Sequence, residues 1–212
     1  MTLVPMTPEV PPSSQLSTWG PTLRLPILST LLLAALVAAS CGGSDPGSAP
    51  ESPPATATAS GAQCGAAIRQ PDQGRQHLND VNHSYPQHPA TSGPHYPVPL
   101  LPSPAVYTAP VPEARALHNL EHGYVWVYYQ SSGSDALPAA LVAALTAAVP
   151  GERKVLMAPY PQLPAGAALD FAAWDELAQC APAVTAGEAL AAFRSFVATY
   201  REGPLAPEPD AR

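Results

Sequence analysis

The chain has 212 residues, of which 46% are apolar and 12% charged, and it contains 29 prolines. That length suits one domain or two small ones, and so many prolines with so few charges mean that part of it is not packed core. A formal net charge of -7 without any basic block argues against nucleic acid as a partner, because neutralising phosphates takes clustered Lys and Arg; direct attraction to an anionic membrane fails for the same reason.

Residues Leu25 to Ala39 form an apolar run after Arg24. It is shorter than the ~20 residues of a spanning helix and suits the apolar section of a secretory signal. Ala38, Ala39 and Ser40 stand directly before Cys41, the small-residue pattern that a bacterial lipoprotein signal peptidase needs. Cys41 is therefore the expected lipid-attachment residue and 1–40 the expected lipoprotein signal peptide. An ordinary secretory signal or an uncleaved anchor are the alternatives. Acyl chains on Cys41, at ~0.8 kcal/mol per buried methylene, would hold the protein to a membrane in the cell envelope.

Residues 41–61 carry Gly, Ser, Pro, Ala and Thr with almost no large apolar side chain. Such a segment cannot bury enough surface to offset its ordering entropy and is expected to be a disordered tether. Residues 62–205 have the size of one domain, and 206–212 are expected to be a disordered tail.

Within the domain, the stretch from Gln63 to Val111 is crowded with His, Pro and Tyr and shows no sustained period, so irregular backbone is expected. Pro112 to His122 predicts a short helix with Pro at its first position and Gly123 just past its end, followed by the strand "YVWVYY". Ser134 or Asp135 is the expected cap of a second helix, with Pro138 in its first turn and Leu141, Val142, Leu145 and Val149 as its apolar stripe. "KVLMAP" predicts a strand, whereas Leu169 to Cys180 is ambiguous between strand and helix. Thr185 and Glu188 form a capping box for a last helix that turns Phe193, Phe196, Val197 and Tyr200 to the core and ends at Gly203 and Pro204. Strand, helix, strand is most simply a parallel crossover. The fold class expected is α+β: a single domain with a small mixed sheet, two or three helices and an irregular His/Pro-rich N-terminal half.

Two cysteines remain beyond Cys41, Cys64 and Cys180. In an oxidising compartment such a pair more often bonds than stays free, and closing so long a loop contributes roughly 4 to 5 kcal/mol in the chain-entropy model. Unlinked thiols too far apart to meet are the alternative.

All six histidines, His77, His83, His88, His95, His118 and His122, fall between positions 77 and 122. On the first helix His118 and His122 are at i and i+4, about 5 to 6 Å apart on one face, so their rings can converge on one ion. His77 and His95 in the irregular segment are the further candidate ligands, and His83 and His88 read as exposed loop residues. "HNLEH" also fits the H-x-x-E-H pattern of inverted zinc peptidases, which would make Glu121 a general base. Gly123 ends the helix too soon for that reading, so Glu121 is only a weak catalytic candidate and the balance leans away from an enzyme. The opposing view is a buried polar network without metal, with His122 interacting with the helix C-terminus and His95 locking a proline turn.

"PATSGPHYPVP" (89–99), "VYTAPVPEARALHNLEHGYVWVYY" (106–129) and "FRSFVATYREGP" (193–204) closely resemble the bacterial DUF3105 family, a domain of unknown function, over roughly Gln76 to Pro204. The resemblance points to His77, Tyr85, His95, His118, Glu121 and His122, and not to His83 or His88. It also implies export and membrane attachment. The chain departs from the pattern at Ala90, where proline is usual, and in "PLLPSPAVY", which lacks the expected tryptophan and glycine. Some members place a cysteine there, so the resemblance lends the Cys64–Cys180 pair no support.

The functional expectation is a lipid-anchored envelope protein that binds a transition metal, zinc or copper, through His77, His95, His118 and His122. Glu121, with Tyr85, would orient the ligands from behind. The alternative is a metal-free structural module binding a protein or cell-wall partner; a zinc hydrolase is the third reading.

Overall fold

The computed structural model describes residues 62–211. The expected leader 1–40, the expected tether 41–61 and Cys41, the expected lipid-attachment residue, lie outside the described residues. Among the described residues no helix is long and apolar enough to cross a membrane.

Among the described residues five strands and three helices follow in the order β1 (Ile68–Arg69), α1 (Glu113–Glu121), β2 (Val125–Tyr129), α2 (Ala139–Ala148), β3 (Val155–Pro159), β4 (Leu169–Ala173), β5 (Glu176–Cys180) and α3 (Ala186–Tyr200). The strands form one mixed sheet in the order β1-β5-β4-β2-β3, making this a single α+β domain. β2 and β3 run parallel, with Val125 opposite Val155. β4 runs antiparallel to both β2 and β5.

Side chains alternate across a strand, and in β2 both faces are buried. Val125 and Val127 join Leu141 and Leu145 of α2 and Phe193, Phe196 and Val197 of α3 in one core. Trp126 and Tyr128 point the other way, into a second core with Leu117 and Leu120 of α1 and with Tyr85 and Leu100 of the irregular segment. Burying each of these large side chains contributes roughly 1.5 to 3 kcal/mol. The irregular N-terminal half thus has a packing role, covering with α1 the sheet face that α2 and α3 leave bare.

The helix ends differ slightly from those expected. Pro112 is the N-cap of α1 rather than its first residue, and His122 is the C-cap. In α2 the N-cap is Pro138; Asp135 instead accepts the Gly166 N–H at 2.9 Å. Only Leu141 and Leu145 of α2 are buried, with Val149 following in a 3-10 turn. The capping box of α3 is present, Thr185 accepting from the Glu188 N–H and Glu188 from the Thr185 N–H. Leu169 to Cys180 is a hairpin, and its turn falls at Trp174 and Asp175, with Asp175 in left-handed conformation at φ 58°. Aspartate tolerates that region better than most residues.

Cys64 and Cys180 are joined by a disulfide, tying the start of the domain to the end of β5. Beyond α3 the chain does not run free, although composition alone predicts a disordered tail. The Lys154 Nζ donates to the carbonyls of His122, Pro209 and Ala211 at 3.0, 2.6 and 2.9 Å, and the Glu208 N–H donates to Glu121 O at 2.9 Å. One ammonium with three donors and the orphan carbonyls of a helix end supply what composition does not reveal.

Candidate metal centre

Helix α1 ends in "HNLEHG", and each residue of that stretch has a separate task. Asn119 is buried and pairs with Leu100 on both sides, accepting its N–H at 3.1 Å and donating to its carbonyl at 3.0 Å. Arg115 donates to the carbonyls of Val98 and Pro99, while Trp126 Nε1 donates to Ala116 O at 3.0 Å. These bonds fasten residues 96–100 along one side of α1 and α1 onto the sheet. Gly123, at φ +75°, ends the helix, and a Cβ there would meet the Glu202 backbone at 2.9 Å.

The segment so fastened brings His95 to the helix. Gly93, at φ +133°, makes the bend before it, and a Cβ there would meet the Tyr85 ring at 3.3 Å. The Tyr85 hydroxyl donates to Pro94 O at 2.7 Å, so Tyr85 supports the turn that carries His95. His77 pairs with His95 through a backbone bridge, with Leu78 N–H to His95 O at 2.7 Å and His95 N–H to Gln76 O at 2.8 Å.

The result is a cluster of rings. His77 stacks on His118 with centroids 5.0 Å apart, and His95 meets both rings edge-on at the same separation. Glu121 Oε2 lies 3.1 Å from His95 Nε2, 3.6 Å from His77 Nε2 and 4.0 Å from His118 Nε2. The ligand atoms of His77, His95, His118 and Glu121 all lie within 4.8 Å of one another. Glu121, expected behind the ligands, stands among them. His122 is outside that group, although its Nε2 is 3.1 Å from His118 Nε2; it groups with Glu121 and Glu208 instead. The α-helix explains the difference: Glu121 at i+3 from His118 turns toward the irregular segment, and His122 at i+4 turns toward the tail.

Proton positions give the cluster its chemistry. His95 Nδ1 is 2.9 Å from Gly93 O, and His118 Nδ1 is 2.8 Å from Tyr96 O. A carbonyl only accepts, so each ring carries its proton on Nδ1 and, when neutral, directs a bare Nε2 lone pair into the cluster. Burial holds the His118 and His122 pKa values below the usual histidine value, which favours the neutral rings. Facing them is the Glu121 carboxyl group, 3% exposed, with Oε2 hydrogen-bonded to His95 Nε2 at 3.1 Å. His95 is fully buried, whereas the His77 side chain is half exposed and opens the cluster to solvent.

The other two histidines are apart from this cluster. His83 packs edge-on to Tyr85. His88, read from sequence as an exposed loop residue, is engaged: its Nδ1 donates to the Tyr160 hydroxyl at 2.8 Å and lies 3.3 Å from Glu113 Oε2. The Tyr160 hydroxyl donates in turn to Glu113 Oε1 at 2.7 Å, and burial raises its pKa. This network borders a cleft of about 300 Å³ at the N-terminal end of α1. Sequence reasoning also missed Asp170, fully buried on β4 opposite Tyr128, with its pKa pushed up to about 7 by burial. A lone acid within an apolar strand was the available signal.

Fold and site together define an α+β domain that gathers three imidazoles and a carboxylate at the C-terminal end of one helix, with no solved structure and no curated protein matching the chain. The family model described as "Protein of unknown function (DUF3105)" matches residues 77–212, and the chain belongs to that family. The match takes in every member of the cluster and the tail beside it.

Proposed function

We propose that the domain binds a divalent transition-metal ion between His77, His95, His118 and Glu121, in a protein held to the cell envelope by a lipid on Cys41. The observation that carries this is the convergence of the His77, His95 and His118 rings on the Glu121 carboxyl group, with the Nδ1 sides of His95 and His118 held by backbone carbonyls so that each Nε2 faces inward. A donor set of three imidazoles and one carboxylate oxygen favours zinc or copper over the oxygen-seeking calcium and magnesium. Donor atoms around a tetrahedral ion with bonds near 2.1 Å are roughly 3.4 Å apart, close to the separations found here. Export is supported by the small residues before Cys41 and by the Cys64–Cys180 disulfide, a bond suited to an oxidising compartment.

The test is metal analysis of full-length protein purified in detergent. After dialysis it retains at least one equivalent of zinc or copper per chain, and His95→Ala and His118→Ala lose it. Metal-free wild-type protein, with a His118→Ala melting shift that chelator does not alter, would reduce the cluster to a polar network bracing the irregular segment. Lipidation is checked separately, since Cys41→Ala abolishes labelled fatty-acid incorporation.

A further inference from the structure

The metal reading leaves His122 and the C-terminal tail without a role, yet both are built against the cluster. Ligand atoms of Glu121, His122 and Glu208 all lie within 4.8 Å of one another, so Glu121 belongs to two groups at once. The groups adjoin, because His118 Nε2 of one is 3.1 Å from His122 Nε2 of the other.

We infer a second divalent-cation position formed by Glu121, His122 and Glu208, with Glu121 as the carboxylate bridging it to the first. This deepens the single-metal proposal and rests on it. A carboxylate has two oxygens, and bridged pairs of metal ions typically sit ~3.5 to 4 Å apart. The second position has two carboxylates and one imidazole. That oxygen-rich set takes zinc or manganese more readily than the softer copper(I).

Two features show that the position is built. Glu208 is held by its backbone, its N–H on Glu121 O and the two carbonyls beyond it, Pro209 and Ala211, on the Lys154 ammonium. Its side chain, 53% exposed, is therefore presented to His122 without having to hold the tail in place. The Glu208 Oε2 to His122 Nε2 distance is 3.6 Å. That is too long for a good hydrogen bond and suits two donors that share an ion. The second feature is charge. The neighbouring cation, Lys154, gives its ammonium to three carbonyls and lies 3.3 Å from Glu202. Two carboxylates thus share one small volume with a lysine committed elsewhere, and divalent ions supply the balancing charge.

The experiment titrates metal-stripped full-length protein in detergent with zinc by calorimetry, and with manganese followed by electron paramagnetic resonance. Wild type takes up two equivalents of zinc and shows a spin-coupled manganese pair. Glu208→Gln, which keeps the backbone anchors of the tail, takes up one equivalent and shows only isolated manganese, with the melting temperature of its metal-free form unchanged. One equivalent in wild type, or two in Glu208→Gln, overturns the second position and leaves the single-metal proposal standing. No uptake by wild type overturns both.

Discussion

Asp170→Asn removes a carboxylate that the fold keeps close to neutral. Asp170 is completely buried between β2 and β5; Gln179 donates to its Oδ2 at 2.9 Å, while Oδ1 has no partner. Desolvation is the main cause of its rise from 3.8 to about 7, and the Gln179 hydrogen bond opposes it. Between those two values the folded chain holds a proton that the unfolded chain has released. Stability from this group is therefore full below about pH 4, declines as pH rises, and levels off above about pH 7. At ~1.4 kcal/mol per pKa unit the whole loss is about 4 kcal/mol, and about 2 to 3 kcal/mol of it falls between pH 5 and pH 8. Asparagine has the same shape, still accepts from Gln179 and does not titrate. Urea unfolding of wild type and Asp170→Asn at pH 5 and pH 8 isolates the effect, because other titrating groups cancel in the difference. The advantage of the variant should grow by about 2 to 3 kcal/mol at the higher pH. An unchanged difference would show that Asp170 ionises normally, through water or a shift of β4, and would refute the reasoning.

Asn119→Ala leaves the buried Leu100 N–H and carbonyl without partners and should cost about 2 to 4 kcal/mol in chemical denaturation. It should also weaken metal retention, since the segment that carries His95 loses one of its holds on α1, at Leu100. Reducing Cys64–Cys180, or replacing both with Ala, should lower stability by about 2 to 5 kcal/mol, read as a fall in melting temperature. In metal-free protein His118 and His122 should give a contribution to stability that slopes upward as pH rises toward about 6.5, against the falling contribution of Asp170, because burial depresses both rings and the unfolded chain binds the more protons there. His118→Ala should flatten that slope in melting curves taken between pH 5 and pH 7. Gly123→Ala forces a left-handed alanine against the Glu202 backbone; it should destabilise the domain by more than about 1 kcal/mol and loosen the tail, seen as faster amide exchange at Glu208.

Much of the fold is legible in the chain because its signals are local. The α3 capping box, Gly123 after α1, and the strand–helix–strand succession of β2, α2 and β3 all depend on neighbours a few residues apart. The β4–β5 hairpin was ambiguous for the opposite reason: its turn uses Trp174 and Asp175, with no glycine or proline to mark it. The tail eluded composition because Lys154, about 55 residues upstream, is what holds it. In the site, clustering and i, i+4 spacing single out the histidines. The same spacing pairs His122 with His118 and so suggests His122 as the fourth ligand of one ion.

Chain order alone determined the helices, the parallel pair β2 and β3, the family resemblance and the crowding of the histidines into one stretch, since periodicity, caps and histidine density are properties of short windows. Tertiary structure decided which of those residues share a centre. Glu121 came forward and His122 went to the tail because a helix sends i+3 and i+4 in different directions, and only the packed partners on each side give those directions meaning. The disulfide, the fastening of residues 96–100 by Asn119, and the arrival of Glu208 are likewise long-range. Each joins groups whose meeting no local pattern encodes.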